Sequence, residues 1–353
     1  MQADKNAIIE HLKRVVHPDK KQDIISLGMV DVDFLEGKVV LTLRFDKRSD
    51  PFTKAIGKAC ERVLKEDLGI REEIEIKIIM PEAPPPKDVS LSGVKNILLV
   101  ASGKGGVGKS TVASNLAVSL AGSGKKVGLL DADIFGPSVP KMFATEKYAP
   151  EVVEKDGKHM IVPVEKYGVK LLSIGYFVKA EDATIWRGPM ASGALKQLLF
   201  DAIWGELDYL IIDLPPGTSD IHLTVAQETK VDGAVIVSTP QAVALADVVK
   251  GINMFKNENI SIPVLGVIEN MSWFTPEELP DNKYYLFGKG GCKNYAEAND
   301  IELLGQVPII QSVREDGDQG SPSVLGNKII SDIFKSMAAK IEHQLHLSKL
   351  KSI

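Results

Sequence analysis

Residues 103–111 read GKGGVGKST, directly after the apolar run Ile97–Ala101 and before a helical run at 112–120. A loop that cradles phosphates needs its amides turned inward. Glycines allow that curvature and close approach, and the amino terminus of the following helix adds favourable partial charge. The same glycines satisfy GxGxxG, the dinucleotide fingerprint, and Asp131 follows a second strand where such a fold places its ribose-binding acid. The segment after the last glycine separates the two readings. A dinucleotide's pyrophosphate needs neither a lysine nor a magnesium ligand there, whereas Lys109 and Ser110 complete G-x4-G-K-[ST]. In that motif the lysine ammonium neutralises β and γ oxygens and the serine hydroxyl coordinates Mg2+, so both roles call for a triphosphate.

Outward from this loop, apolar runs at 96–101, 127–130, 209–212, 234–238 and 264–268 alternate with helical segments. Runs apolar on both faces, with helices between them, predict an α/β domain: a doubly wound, mainly parallel sheet covered on both sides. The run 209–212 ends in Asp213 and then LPPGTSD, and a carboxylate at that strand end is placed to hold Mg2+ through water. DADIFGPS at 131–138 ends another strand, and Asp133 is read there as the residue that positions attacking water. A carboxy-terminal helix carries Ile329, Ile330, Ile333, Phe334, Met337 and Ile341 on one face, expected to dock onto its own domain.

Before the loop, PEAPPPKDVSLS marks a linker at 81–93, since clustered prolines favour extended backbone. It separates a domain at 94–353 from a small α+β domain at 1–80. The latter is read as a helix over 5–16, strands at 24–32 and 38–45, a helix over 52–68 and an alternating strand at 74–79.

The chain has 353 residues, 44% hydrophobic and 25% charged, which excludes a disordered chain and suits about two domains. No apolar run approaches a membrane span and the first residues lack an apolar leader, so the expected compartment is the cytoplasm, without stable membrane insertion. The net charge is −5; the first 80 residues balance 15 basic against 15 acidic, and the remainder carries 27 and 32. That balance argues against nucleic acid as a partner. Two cysteines, Cys60 and Cys292, provide neither a disulfide framework nor a zinc spacing.

With Lys104 before Gly105 and Gly106, the loop resembles the deviant Walker A motif of the superfamily of MinD, ParA and the nitrogenase iron protein. That resemblance implies an ATP-dependent homodimer in which Lys104 reaches the partner's phosphates as a charge-assisted contact. Together with DADIFGPS, IWRGPM at 185–190, DLPPGTSD and IENMS, the chain is similar to the Mrp/ApbC family of iron–sulfur cluster carriers. Its first domain, with HPDKKQDIISLGMV, resembles iron–sulfur assembly factors. The resemblance implies ATP and Mg2+ as cofactors, cluster as cargo and apoproteins as acceptors. By motif, Gly103, Gly105, Gly106, Val107 and Gly108 form the nucleotide loop and Lys104, Lys109, Asp133 and Asp213 the hydrolytic set. Ser110 and Asp213 hold Mg2+, Thr111 meets the α-phosphate, Gly217 lies near the γ-phosphate and Asn270 contacts adenine. Arg187 matches a motif of structural or functional role.

Members of that family usually carry a CxxC where this chain reads WFTPEELPDNKYYLFGKGGC. Carboxylates are hard ligands, poorly suited to cluster iron. Cys292, just beyond, is therefore either a ligand facing its twin across a dimer or a small packing residue. The missing CxxC also keeps open a MinD-like nucleotide-switched adaptor without metal cargo.

Overall fold

The computed structural model describes residues 4–35, 38–45, 50, 52–70, 72–79, 91–134, 136–155, 157–177, 188–257, 260–276, 278–279 and 281–351. They fall into two compact units, Met1–Pro86 and Lys87–Ile353. Most of the segment assigned to a linker, and Arg187 with the start of IWRGPM, lie outside the described residues.

In the first unit, strands Val30–Leu35, Lys38–Arg44 and Ile74–Ile79 form a sheet, antiparallel across the first pair and parallel across the second. Helices Lys5–Leu12 and Thr53–Arg62 bury Ile8, Leu12, Ile56 and Cys60 against Leu41 and Leu43. The first helix stops at Leu12, four residues short of expectation. His17 precedes Pro18, a pair that favours extended backbone, and Val16–His17 pairs instead with Gln22–Asp23. The strand expected over 24–32 begins only at Val30. Residues before it turn, with the Met29 amide donating to the Ile24 carbonyl and Gly28 at φ 66°.

The second unit is built on eight strands: β1 (Ile97–Ala101), β2 (Val127–Asp131), β3 (Val164–Lys166), β4 (Val169–Ser173), β5 (Tyr209–Asp213), β6 (Gly233–Ser238), β7 (Val264–Phe274) and β8 (Leu303–Ile309). They lie in the order β3-β4-β2-β5-β1-β6-β7-β8, parallel throughout except for β3. Period-two alternation sorts each strand between two cores. Leu98, Val100 and Ile211 face helices Lys109–Gly122 and Lys328–Lys351. Leu99, Leu210 and Ile212 face helices Gly188–Phe200 and Ala242–Lys256. The doubly wound architecture thus follows from strands that are apolar on both sides. β8 escapes a sequence pattern because Gly305 and Pro308 interrupt it, and it sits at the sheet edge, where a missing amide donor is tolerated.

The carboxy-terminal helix docks through Ile330, Phe334, Met337, Ile341 and Leu345, with Ile333 half-buried. Ile329, assigned to the same face, is instead 62% exposed. Helix Asp220–Glu228 begins with a reciprocal cap: the Ser219 amide donates to His222 Nδ1 at 3.2 Å, and the Ser219 hydroxyl lies 3.1 Å from the same nitrogen. The ring is buried, and burial pushes its pKa down to about 4; the backbone of Ser219 opposes the shift and the Lys109 charge adds to it.

Phe334→Ala is expected to destabilise this unit by about 3–5 kcal/mol, against less than about 0.5 kcal/mol for Ile329→Ala, read from denaturant midpoints. For His222 the unfolded chain binds a proton below about pH 6.5 that the folded chain refuses until about pH 4. Stability linked to this ring is therefore lost as pH falls through that window, by up to about 3 kcal/mol. His222→Gln should reduce the drop in melting temperature between neutral and acid pH; an undiminished drop would contradict the assignment.

Candidate functional site

Parallel strands aim their carboxyl ends at one edge of the sheet, and β1, β5 and β2 are adjacent there. Asp213 is in register with Val100 on one side and Asp131 on the other. The three loops carrying GKGGVGKST, LPPGTSD and DADIFGPS therefore leave the sheet side by side. Between them lies a cavity of about 240 Å3, lined by Lys104, Lys109, Ser110, Thr111, Asp133 and Pro216 among others.

The loop's shape depends on glycine at two places. Gly106 and Gly108 have φ of 78° and 80°, and Gly108 is the residue from which helix Lys109–Gly122 starts. Any side chain on Gly108 would also run into the Asn270 amide. Val107 enters only by its backbone: its side chain is buried in the core and its carbonyl accepts a hydrogen bond from Asn270 Nδ2 at 2.8 Å. Gly103 is pressed against the backbone of helix Ala242–Lys256 at Asp247. The Gly217 amide, at φ 78°, donates to the Ser102 carbonyl at 2.8 Å, tying the β5 loop to the β1 loop.

Lys109 is the centre of the charge distribution. Its ammonium, 6% exposed, donates to Asp213 Oδ1 at 2.6 Å and to Ser110 Oγ at 3.2 Å, and stands 3.8 Å from Asp133 Oδ2. Burial pushes Asp213 above the usual carboxylate range, against the pull of Lys109. Asp131 is raised to about 7 by burial and next by the charge of Asp213. Three carboxylates thus share one ammonium, and two buried oxygens, Asp133 Oδ1 and Asp213 Oδ2, have no hydrogen-bond partner. That deficit of positive charge and of donors fits Mg2+ with its coordinated waters, next to the Ser110 hydroxyl. Among the described residues no three His, Cys, Asp or Glu side chains converge as a cage.

Asp131 and Asp133, adjacent in one motif, take different parts. The Asp131 carboxylate accepts from the Asp133 amide (3.1 Å), the Val139 amide (3.2 Å) and Ser173 Oγ (3.0 Å), so it braces the loop that carries Asp133. Lys104 Nζ donates to Gln241 Oε1 at 3.1 Å. Gln241 was not singled out from sequence, although it follows β6, the neighbour of β1, and strand-end position was the available signal. Cys292 is not at a surface. It is fully buried in the first turn of helix Gly291–Ala298, and its thiol donates to the Thr239 carbonyl at 3.5 Å.

Comparison with known proteins follows the same lines. The model of the family described as ParA: NUBPL iron-transfer P-loop NTPase matches residues 93–342. An iron–sulfur cluster carrier protein of Synechocystis is 41% identical over 95% of this chain and 97% of its own length. One from Aquifex aeolicus is 51% identical over 73% and 70%, respectively. The iron–sulfur cluster transfer protein NUBPL of Dictyostelium discoideum is 44% identical over 73% of this chain and 80% of its own. Among solved structures, a nucleotide-binding protein from Archaeoglobus fulgidus in complex with ADP aligns with a TM-score of 0.57 at 41% identity, covering 65% of this chain and 88% of that one. The cell division ATPase MinD of Pyrococcus furiosus, 21% identical with a TM-score of 0.50 over 70% and 99%, shares the fold. A sheet ordered around β1, a lysine-centred phosphate loop and these relatives agree: the chain belongs to the NUBPL iron-transfer branch of the ParA-type P-loop NTPases.

Proposed function

We propose that the protein is an ATP-hydrolysing iron–sulfur cluster carrier that works as a nucleotide-dependent homodimer and serves apoprotein acceptors. The observation that carries the reading is the buried Lys109 ammonium, held against Asp213 and Asp133 at the cavity of the glycine loop. The relatives' names supply the cargo. No described helix is long and apolar enough to cross a membrane.

In this reading, the amides of Gly103, Gly105, Gly106, Val107 and Gly108 surround the phosphates and Thr111 meets the α-phosphate. Lys109 turns from its carboxylate partners to the β and γ oxygens. Ser110 and Asp213 hold Mg2+, which when bound neutralises the developing charge on the leaving phosphate. Asp133 aligns the attacking water, with Asp131 fixing the loop beneath it. Gly217 senses the γ-phosphate through the strap to Ser102. Asn270, already bonded to the loop at Val107, contacts adenine. Lys104 leaves Gln241 for the phosphates of a second copy, so ATP stabilises the dimer and hydrolysis loosens it.

Three variants divide these roles. Lys109→Ala should abolish ATP binding by calorimetry. Asp133→Asn should bind ATP yet hydrolyse it roughly 100-fold or more slowly, the scale of a lost proton-transfer or positioning group. Lys104→Gln should bind ATP as a monomer and fail to dimerise in sedimentation. Wild-type affinity, turnover or dimerisation in the respective variant would refute its role.

A further inference from the structure

Iron–sulfur clusters are held by cysteine thiolates, with histidine as the occasional substitute. A thiol becomes a ligand only where it can lose its proton within reach of iron. This chain has two cysteines, and both are free and fully buried. Cys60 lies on the inner face of helix Thr53–Arg62, in the core of the first unit. Cys292 lies in the core of the second, and its amide donates to Glu269 Oε2 at 2.8 Å.

Glu269 is itself fully buried, and its other oxygen accepts from Gln306 Nε2 at 2.7 Å. An anionic cluster brought to Cys292 would meet this fixed carboxylate. Burial pushes both thiols up to about 12, and at Cys292 the Glu269 charge contributes next. The stretch between Asn270 and Cys292 has neither cysteine nor histidine. Within it Phe274 and Tyr284 exchange two backbone hydrogen bonds of 2.8 Å, and the Lys283 ammonium sits 4.1 Å above the Trp273 ring.

We infer that this chain contributes no ligand to the cluster it handles, and that the thiolates holding the cargo belong to another molecule. The inference rests on the carrier reading and sharpens it: no bond to iron forms on this protein, and ATP governs its grip on a cluster already dressed with thiolates. Two sources offer that chemistry, a small thiol and the cysteines of a donor or acceptor protein.

The test is anaerobic incubation of the full chain with ATP and Mg2+ in three arms, followed by desalting and assay of chain-bound iron and sulfide. The first arm supplies ferrous iron and sulfide with a phosphine reductant and no thiol. The second supplies a glutathione-ligated cluster, and the third a cluster-loaded protein with cysteine ligands. Expected are loss of all iron in the first arm and its retention in the second or third, which tells the two sources apart. Retention should be unchanged in Cys60→Ala and in Cys292→Ala. Titration of the native wild-type chain with a disulfide reagent should find neither thiol reactive until it is unfolded, which keeps the question decidable if either variant misfolds. Iron retained in the thiol-free arm and lost on Cys292→Ala, or a native thiol that reacts at once, overturns the inference while leaving the carrier reading intact. No iron in any arm, with ATP hydrolysis preserved, removes the cargo and the inference together.

Discussion

A lysine ammonium almost wholly removed from water needs anionic partners, and Lys109 finds them in Asp213 and Asp133. Much of the second unit's design can be traced to meeting that need. Three strands must be parallel neighbours so that their carboxyl ends coincide, and Asp213 must end the middle one. Removing one partner of such a pair costs on the order of 3–5 kcal/mol, because a buried charge is left alone. The arrangement is nonetheless incomplete, since two carboxylate oxygens remain without donors. A protein that satisfied them internally would gain stability and lose the charge deficit at this edge of the sheet.

Neighbouring loops are joined by direct hydrogen bonds. The strap from Gly217 to Ser102 links the β5 loop to the β1 loop. The bond from Asn270 to the Val107 carbonyl links β7 to the same place. One residue earlier, Glu269 turns the other way and anchors the first turn of helix Gly291–Ala298. A negative carboxylate at a helix amino terminus is electrostatically favourable, which accounts for its tolerance in the core. Asn270 and Glu269 therefore tie the phosphate loop and helix Gly291–Ala298 to one short piece of strand. Beyond it Phe274 pairs with Tyr284 through the backbone, and the Lys283 ammonium lies over the Trp273 ring.

Asp131 and Cys292 illustrate how burial decides among chemistries that residue type leaves open. Both residue types occur in active centres, and both here are completely enclosed. Asp131 spends its oxygens on two amides and a serine hydroxyl, and so becomes a brace. Cys292 is surrounded by apolar side chains and a carboxylate, an environment that disfavours the thiolate.

Composition, period and motif were enough to read a two-part chain, a doubly wound parallel sheet and a phosphate loop, because each is encoded locally. Strands apolar on both faces can only be sandwiched, and GKGGVGKST can only bend one way. The same local logic singled out Lys109, Ser110, Asp133 and Asp213, which end or follow predicted strands and which the fold brings together. It could not find the interrupted edge strand β8, the pairing of Lys104 with Gln241, or the exposure of Ile329 beside its buried neighbours. Nor could it show that Asp131 spends its oxygens bracing the loop of Asp133, or that Cys292 is enclosed. Those distinctions depend on which atoms from distant parts of the chain exclude water from a given side chain, and solvent exclusion is a property that exists only after the helices have closed over the sheet.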